Sequence, residues 1–270
     1  MKKMKRFSII RISCLGLMSI KRVWIIGLLY CFAVLCCLLL ISKQGAWSKW
    51  GIFDLVADIG GLLGSTNLNM FLIAAIPFLV IVLTRFVDES ERSGFLLALT
   101  SRFHIWHVQV ASAMMISFMF TLFVLAISFI GGGLLIGFEN TWIQESGSIG
   151  QVIGENGDFK KIVGNLDANR IMAVLFITKF LGFLLISFLV LFLKQIIKNG
   201  ALIMIILVIL AGIDYAALLP VKIFVGTAVL TLKDWVNPSI TLFHCSYLLI
   251  VSLVLYGITG LIFQRKDFHS

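Results

Sequence analysis

Residues 85–107 read RFVDESERSGFLLALTSRFHIWH, a charged and polar interruption between two long apolar runs. Asp88, Glu89, Glu91, Arg92 and Arg102 surround an apolar patch at residues 95–99. A connection that only joined two apolar runs could be a few Gly, Ser or Asn residues, whereas this one has the makings of a short helix with a face to bury. Acidic side chains ahead of the patch suit the positive N-terminal end of such a helix. The two arginines add planar hydrogen-bond forks at either end.

What flanks this stretch decides the fold. Of the 270 residues, 60% are hydrophobic and 13% charged, against about one quarter charged in soluble globular domains. A transmembrane helix needs about 20 mostly apolar residues, because each backbone amide must find its partner within the segment. Six stretches qualify: residues 23–41, 68–87, 110–135, 171–193, 201–219 and 243–263. An even number of crossings leaves both termini on one side. Lys2, Lys3, Lys5, Arg6, Arg11, Lys21 and Arg22 precede Val23 without an acid, so the positive-inside rule assigns that side, and residues 85–107 with it, to the cytoplasm. Residues 137–170, external on this topology, carry five acids against three cations. The net charge of +9 therefore reads as orientation and headgroup contact, not nucleic-acid binding. The first apolar run is too long for a secretory signal, which predicts an uncleaved first span.

Between the spans, residues 1–22 mix cations with apolar side chains and suit an elbow helix lying in the interface. Residues 42–67 are broken by glycines and are expected against the outer leaflet. Residues 137–170 form an external loop, expected to be the most mobile part of the chain. Residues 220–241 are divided by Lys222, Lys233, Asp234 and Pro238, so they predict short re-entrant or surface helices on the outer side. The expected fold is one transmembrane domain over residues 1–270: an all-α, multi-pass integral membrane protein of the cell membrane. It has six transmembrane helices, an N-terminal interfacial elbow, a cytoplasmic helix between spans 2 and 3, short non-spanning outer helices before span 6, and both termini in the cytoplasm.

No Gly-Lys dipeptide occurs, so the chain has no P-loop and any ATP use must come from a partner. Phe103 and His107 match the FxxxH spacing of some membrane proteases. The paired glutamates and second histidine motif of those enzymes are missing, however, and His104, Trp106 and His107 suit the edge of a span. Cys14, Cys31, Cys36, Cys37 and Cys245 have neither disulfide nor zinc spacing and read as small hydrophobes. Two ionisable residues fall inside spans, where they are costly: Lys179 and Asp214. Lys179 lies about 12 Å below the outer edge and Asp214 has climbed about 20 Å of roughly 30. Their depths match, which leaves two readings. They form an ion pair between neighbouring helices, or Lys179 snorkels outward while Asp214 caps the outer end of its helix.

The order Glu91-Arg92-Ser93-Gly94, the Leu-rich residues 95–99 and Thr100-Ser101-Arg102 resembles the permease subunits of ABC-2 type ABC transporters. In that family an acid, a small residue and Gly introduce a coupling helix between spans 2 and 3, followed by a Leu-rich stretch and a Ser-Arg step. The basic N-terminal segment and the ending GLIFQRKDF at residues 260–268 extend the resemblance to both ends of the chain. The usual proline before the Ser-Arg step is missing, and Gln109 stands where a lysine is common. The resemblance implies the membrane-spanning subunit of an ATP-driven exporter, forming a path for a hydrophobic or amphipathic substrate such as a peptide antibiotic, toxin, drug or lipid-linked compound. It implies a second permease subunit, identical or related, and ABC ATP-binding subunits that hold ATP and Mg, with membrane lipids around them. The chain itself would be no enzyme and would hold no cofactor or metal. Glu89, Glu91, Arg92, Ser93, Gly94 and Arg102 would form the ATPase-coupling contact. A non-transporting immunity or scaffold protein is the alternative of a different class. A secondary transporter is third, and would need inverted repeats and midplane ion sites.

Overall fold

A computed structural model describes residues 21–44, 50–57, 59, 64–91, 102–153, 159–216, 218 and 222–265. Residues 1–20 and 92–101, which hold most of the expected elbow together with Arg92, Ser93 and Gly94, lie outside them. Among the described residues the chain is helical throughout: α1 (Lys21–Gln44), α2 (Ile52–Val56), α3 (Leu68–Ser90), α4 (Arg102–Ile136), α5 (Ser148–Ile153), α6 (Phe159–Val163), α7 (Ala168–Ile196), α8 (Gly200–Tyr215), α9 (Val225–Ala228), α10 (Leu232–Val236) and α11 (Pro238–Arg265).

Four of these helices are long and apolar enough to cross a membrane: α3, residues 105–136 of α4, α7 and α11. The protein is therefore membrane-embedded, and among the described residues its regular structure is all helical. The expected spans at residues 23–41 and 201–219 come out shorter, as an apolar run over Gly27–Leu40 within α1 and as the 16 residues of α8. At 1.5 Å per residue α8 covers about 24 Å of an apolar layer roughly 30 Å thick. Its limits are local. Asn199 caps the start, its side chain accepting the Ala201 N–H at 2.9 Å, and the helix ends one residue after Asp214.

Helix α7 is the centre of the bundle, with 72% of its spanning window buried against 28% for α11. It packs on α3, α4 and α11, while α1 lies along α4 and α8 along α3. The faces that α4 and α11 turn outward are apolar, with Phe118, Leu122, Leu249 and Leu253 among their exposed side chains. Such faces suit lipid. Inside, Phe78 stacks on Phe120 at 4.4 Å and Phe120 meets Phe183 at 4.9 Å between ring centroids. The Ser117 and Ser187 hydroxyls bond across α4 and α7 at 2.8 Å.

At one end of the bundle the connections fold into a cap with its own core, built from Ile52, Phe53, Trp142, Ile149, Phe159, Leu166 and Trp235. This corrects two expectations. Residues 52–56 pack on α4 within the cap, where a leaflet-bound segment was expected. Residues 137–170, expected as a loop, contain among the described residues a 3-10 turn at Thr141–Ile143 followed by α5 and α6. The physical reason is that each piece is too short to show a hydrophobic period, yet together they bury two tryptophans against each other at 5.4 Å.

Replacing Ser117 or Ser187 by Ala is expected to cost about 0.6 kcal/mol. The double variant should cost little more than either single one, as read by thermal unfolding of the detergent-solubilised protein.

Candidate functional site

The site begins where α8 stops. Asp214, 1% exposed, aims its carboxylate at the start of α9. Its Oδ2 accepts the N–H groups of Phe224 and Gly226, each at 3.0 Å, and its Oδ1 accepts the N–H of Ile223. These are donors that a helix leaves unsatisfied at its first turn. Asp214 thus caps α9 from the end of another helix.

The other end of α9 is held by α7. Lys179, 0% exposed, donates from Nζ to the Ala228 carbonyl at 2.9 Å. Its ammonium lies 5.2 Å from the centroid of the Phe71 ring, a cation–π distance. Phe71 opens a π-helical stretch, Phe71–Ala75, at the start of α3, and its ring meets Phe183 at 5.2 Å. One turn along α7 from Lys179, Gly182 lets α9 come close: a Cβ there would stand 2.8 Å from the Ala228 Cβ.

The direct ion pair expected between Lys179 and Asp214 is not formed. A helical turn stands between them, its positive N-terminal end against the carboxylate and its negative C-terminal end against the ammonium. Lys179 does not snorkel either, since it is fully enclosed, and Asp214 caps α9 in place of its own helix. Depth estimates place both residues at one level, but depth alone does not say what lies between them.

A second buried acid organises the cap. Asp54, 3% exposed, accepts from the Gly51 N–H at 2.9 Å, Trp142 Nε1 at 2.7 Å, Thr141 Oγ1 at 3.4 Å and the Ser148 hydroxyl. Burial pushes its pKa above the ordinary carboxylate value, and these donors pull it back. Gly51 is required by close approach, because a Cβ there would meet the Glu139 carbonyl at 2.7 Å.

At the end of the bundle away from the cap, the helix ends that bracket residues 92–101 are tied down. Gln109 Nε2 donates to Ser90 Oγ at 2.7 Å, joining the start of α4 to the end of α3. Lys194 of α7 pairs with Asp88 at 2.9 Å and donates to the Lys198 carbonyl at 2.7 Å. Of the sequence-predicted coupling residues, Glu89 pairs with Arg85 at 3.3 Å on an exposed face. Glu91 closes α3, its N–H bonding to the Val87 carbonyl at 3.0 Å, and Arg102 opens α4. Gln109, Ser90 and Lys194 carry the ties, and the sequence signal for Gln109 was a polar residue at the head of an apolar run. His107 is spent on neighbours: Nδ1 faces the Phe103 carbonyl at 2.8 Å and Nε2 the Tyr256 hydroxyl at 3.3 Å. Among the described residues no cluster of His, Cys, Asp or Glu is suited to a metal.

Fold and site together define a polytopic helical membrane protein. No family model, curated protein or solved structure matches the chain.

Asp214→Ala, which strands three N–H groups, two of them buried, is expected to lower stability by about 3 kcal/mol. Asp214→Asn retains an acceptor oxygen and should lose less. Thermal unfolding in detergent compares the two.

Proposed function

We propose that the chain is the membrane-spanning subunit of an ABC-2 type exporter, working with a second permease subunit and with ABC ATP-binding subunits that carry ATP and Mg. The observation that carries this reading is the pair of ties at the ends of residues 92–101. Through Ser90–Gln109 and Asp88–Lys194, a force applied to that segment would be shared by α3, α4 and α7, the three helices at the heart of the bundle. A loop that merely reconnected spans would need no such ties. The proposed layout has six crossings, with α1 and α8 completing the four long helices, both termini in the cytoplasm and the cap outside the cell membrane. The transported compound is hydrophobic or amphipathic, in keeping with the apolar bundle.

The test is purification of the tagged full-length chain from its native membrane in mild detergent. A stoichiometric ABC ATPase should accompany it, and Glu91→Arg or Arg102→Glu should abolish coupled transport while leaving insertion and melting temperature unchanged. A chain that purifies without any nucleotide-binding partner would contradict the proposal.

A further inference from the structure

We infer that the connection from α8 to α11 carries a binding site for an anionic phospholipid, with Lys222 taking the headgroup phosphate and the apolar side chains beside it meeting the acyl chains. The inference rests on the charges at the cap end of the bundle and stands apart from the exporter reading.

Between Gly200 and Arg265 the chain has two acids, Asp214 and Asp234. Both are buried and spent. Asp214 accepts three N–H groups at the start of α9. Asp234 accepts the Thr231 N–H at 2.7 Å and the Thr231 hydroxyl at 2.9 Å through Oδ2, and its Oδ1 faces Nδ1 of His244 at 3.4 Å. The two lysines of the same connection, Lys222 and Lys233, are exposed, and neither pairs with a carboxylate among the described residues. This edge of the bundle therefore offers its surroundings positive charge without a counter-ion.

Lys222 stands where that charge meets apolar surface. Its stem lies along the start of α9, with Cδ 3.1 Å from where a Cβ on Gly226 would stand, and its charge is felt by His244 of α11. His244 is the seventh residue of α11, about 9 Å along the helix from Pro238, at the start of the span expected over residues 243–263. Leu242 and Phe243, just before it, are strongly exposed, as is Leu218 where the chain leaves α8. A cation bordered by exposed apolar side chains at the edge of a span matches a phospholipid, whose phosphate lies at the headgroup level and whose chains run along the helix.

A soluble anion does not fit as well, because an exposed lysine in water holds one weakly. Acyl chains lying on Leu242 and Phe243 supply the rest of the affinity. The headgroup charge supplies the selectivity: phosphatidylglycerol is net negative, whereas the ammonium of phosphatidylcholine offsets its own phosphate.

Fluorescence quenching at one labelled position reads the lipid beside it. Leu242→Cys carries a bimane dye in the full-length chain, with its five native cysteines replaced by alanine. The protein is reconstituted in phosphatidylcholine vesicles holding a trace of phosphatidylglycerol or phosphatidylcholine with a nitroxide on one acyl chain. Phosphatidylglycerol should be enriched at this position by about fivefold, the factor that one lysine near a membrane surface supplies. Inorganic phosphate should reduce the enrichment no more than sodium chloride of equal ionic strength. Lys222→Met, which keeps the apolar stem, should abolish it, and Lys222→Arg should retain it. Met119→Cys, on the exposed face of α4, should show no preference. The site is refuted if Lys222→Met leaves the enrichment unchanged. Equal enrichment at position 119 also refutes it, because the preference would then belong to the net charge of the chain. Specific displacement by inorganic phosphate would replace the lipid with a soluble anion, and absence of quenching by either lipid would show this face covered by a second copy of the chain; both overturn the proposal.

Discussion

A four-residue turn such as α9 cannot satisfy its own backbone, since a helix leaves its first N–H and last C=O groups without internal partners. In water the solvent makes up the difference. Inside an apolar bundle nothing does, and each unsatisfied group is costly. Asp214 and Lys179 supply the missing acceptor and donor, and much of the bundle follows from that need. Helix α8 stops at Asp214, α7 presents Lys179 and Gly182 on one face, and α3 begins with a π-helical stretch that brings Phe71 under the ammonium. Two buried charges that would be liabilities alone become the means by which irregular backbone is tolerated between α8 and α11.

The same logic recurs at both ends of the molecule. In the cap, Asp54 gathers donors from three separate pieces of chain and lets short segments share one apolar core. At the opposite end Lys194 holds Asp88 and closes the turn into α8. Because Lys179 and Lys194 lie on one helix, about 22 Å apart along its axis, α7 joins the tied ends around residues 92–101 to the turn at α9. Helix α7, holding α9 through Lys179 near its middle and Asp88 through Lys194 in its last turn, is the element through which the two regions meet.

Much of this was legible from the amino acids, and the failures are instructive. Apolar run length gave the long helices, and the scarcity of charge within spans pointed at Lys179 and Asp214. Lys222, Asp234 and Pro238 mark where the chain between α8 and α11 turns, and Pro238 opens α11. The partner of each buried charge was not legible, because depth along a helix carries no information about an intervening turn. Nor was the cap: Asp54 finds Thr141, Trp142 and Ser148 at separations of 87, 88 and 94 residues, far beyond any periodic pattern. Nor were the ties made by Gln109 and Lys194, whose partners Ser90 and Asp88 lie on another helix and are met only through packing.

Exchanging the two charges tests the arrangement most directly. A direct ion pair survives reversal, whereas a turn with a fixed dipole between the charges does not, since Lys179→Asp and Asp214→Lys together put an anion at its negative end and a cation at its positive end. Thermal unfolding of the double swap should show a loss at least as large as that of either single change. Recovery of the parent's melting temperature by the swap would contradict the account and restore the direct pair.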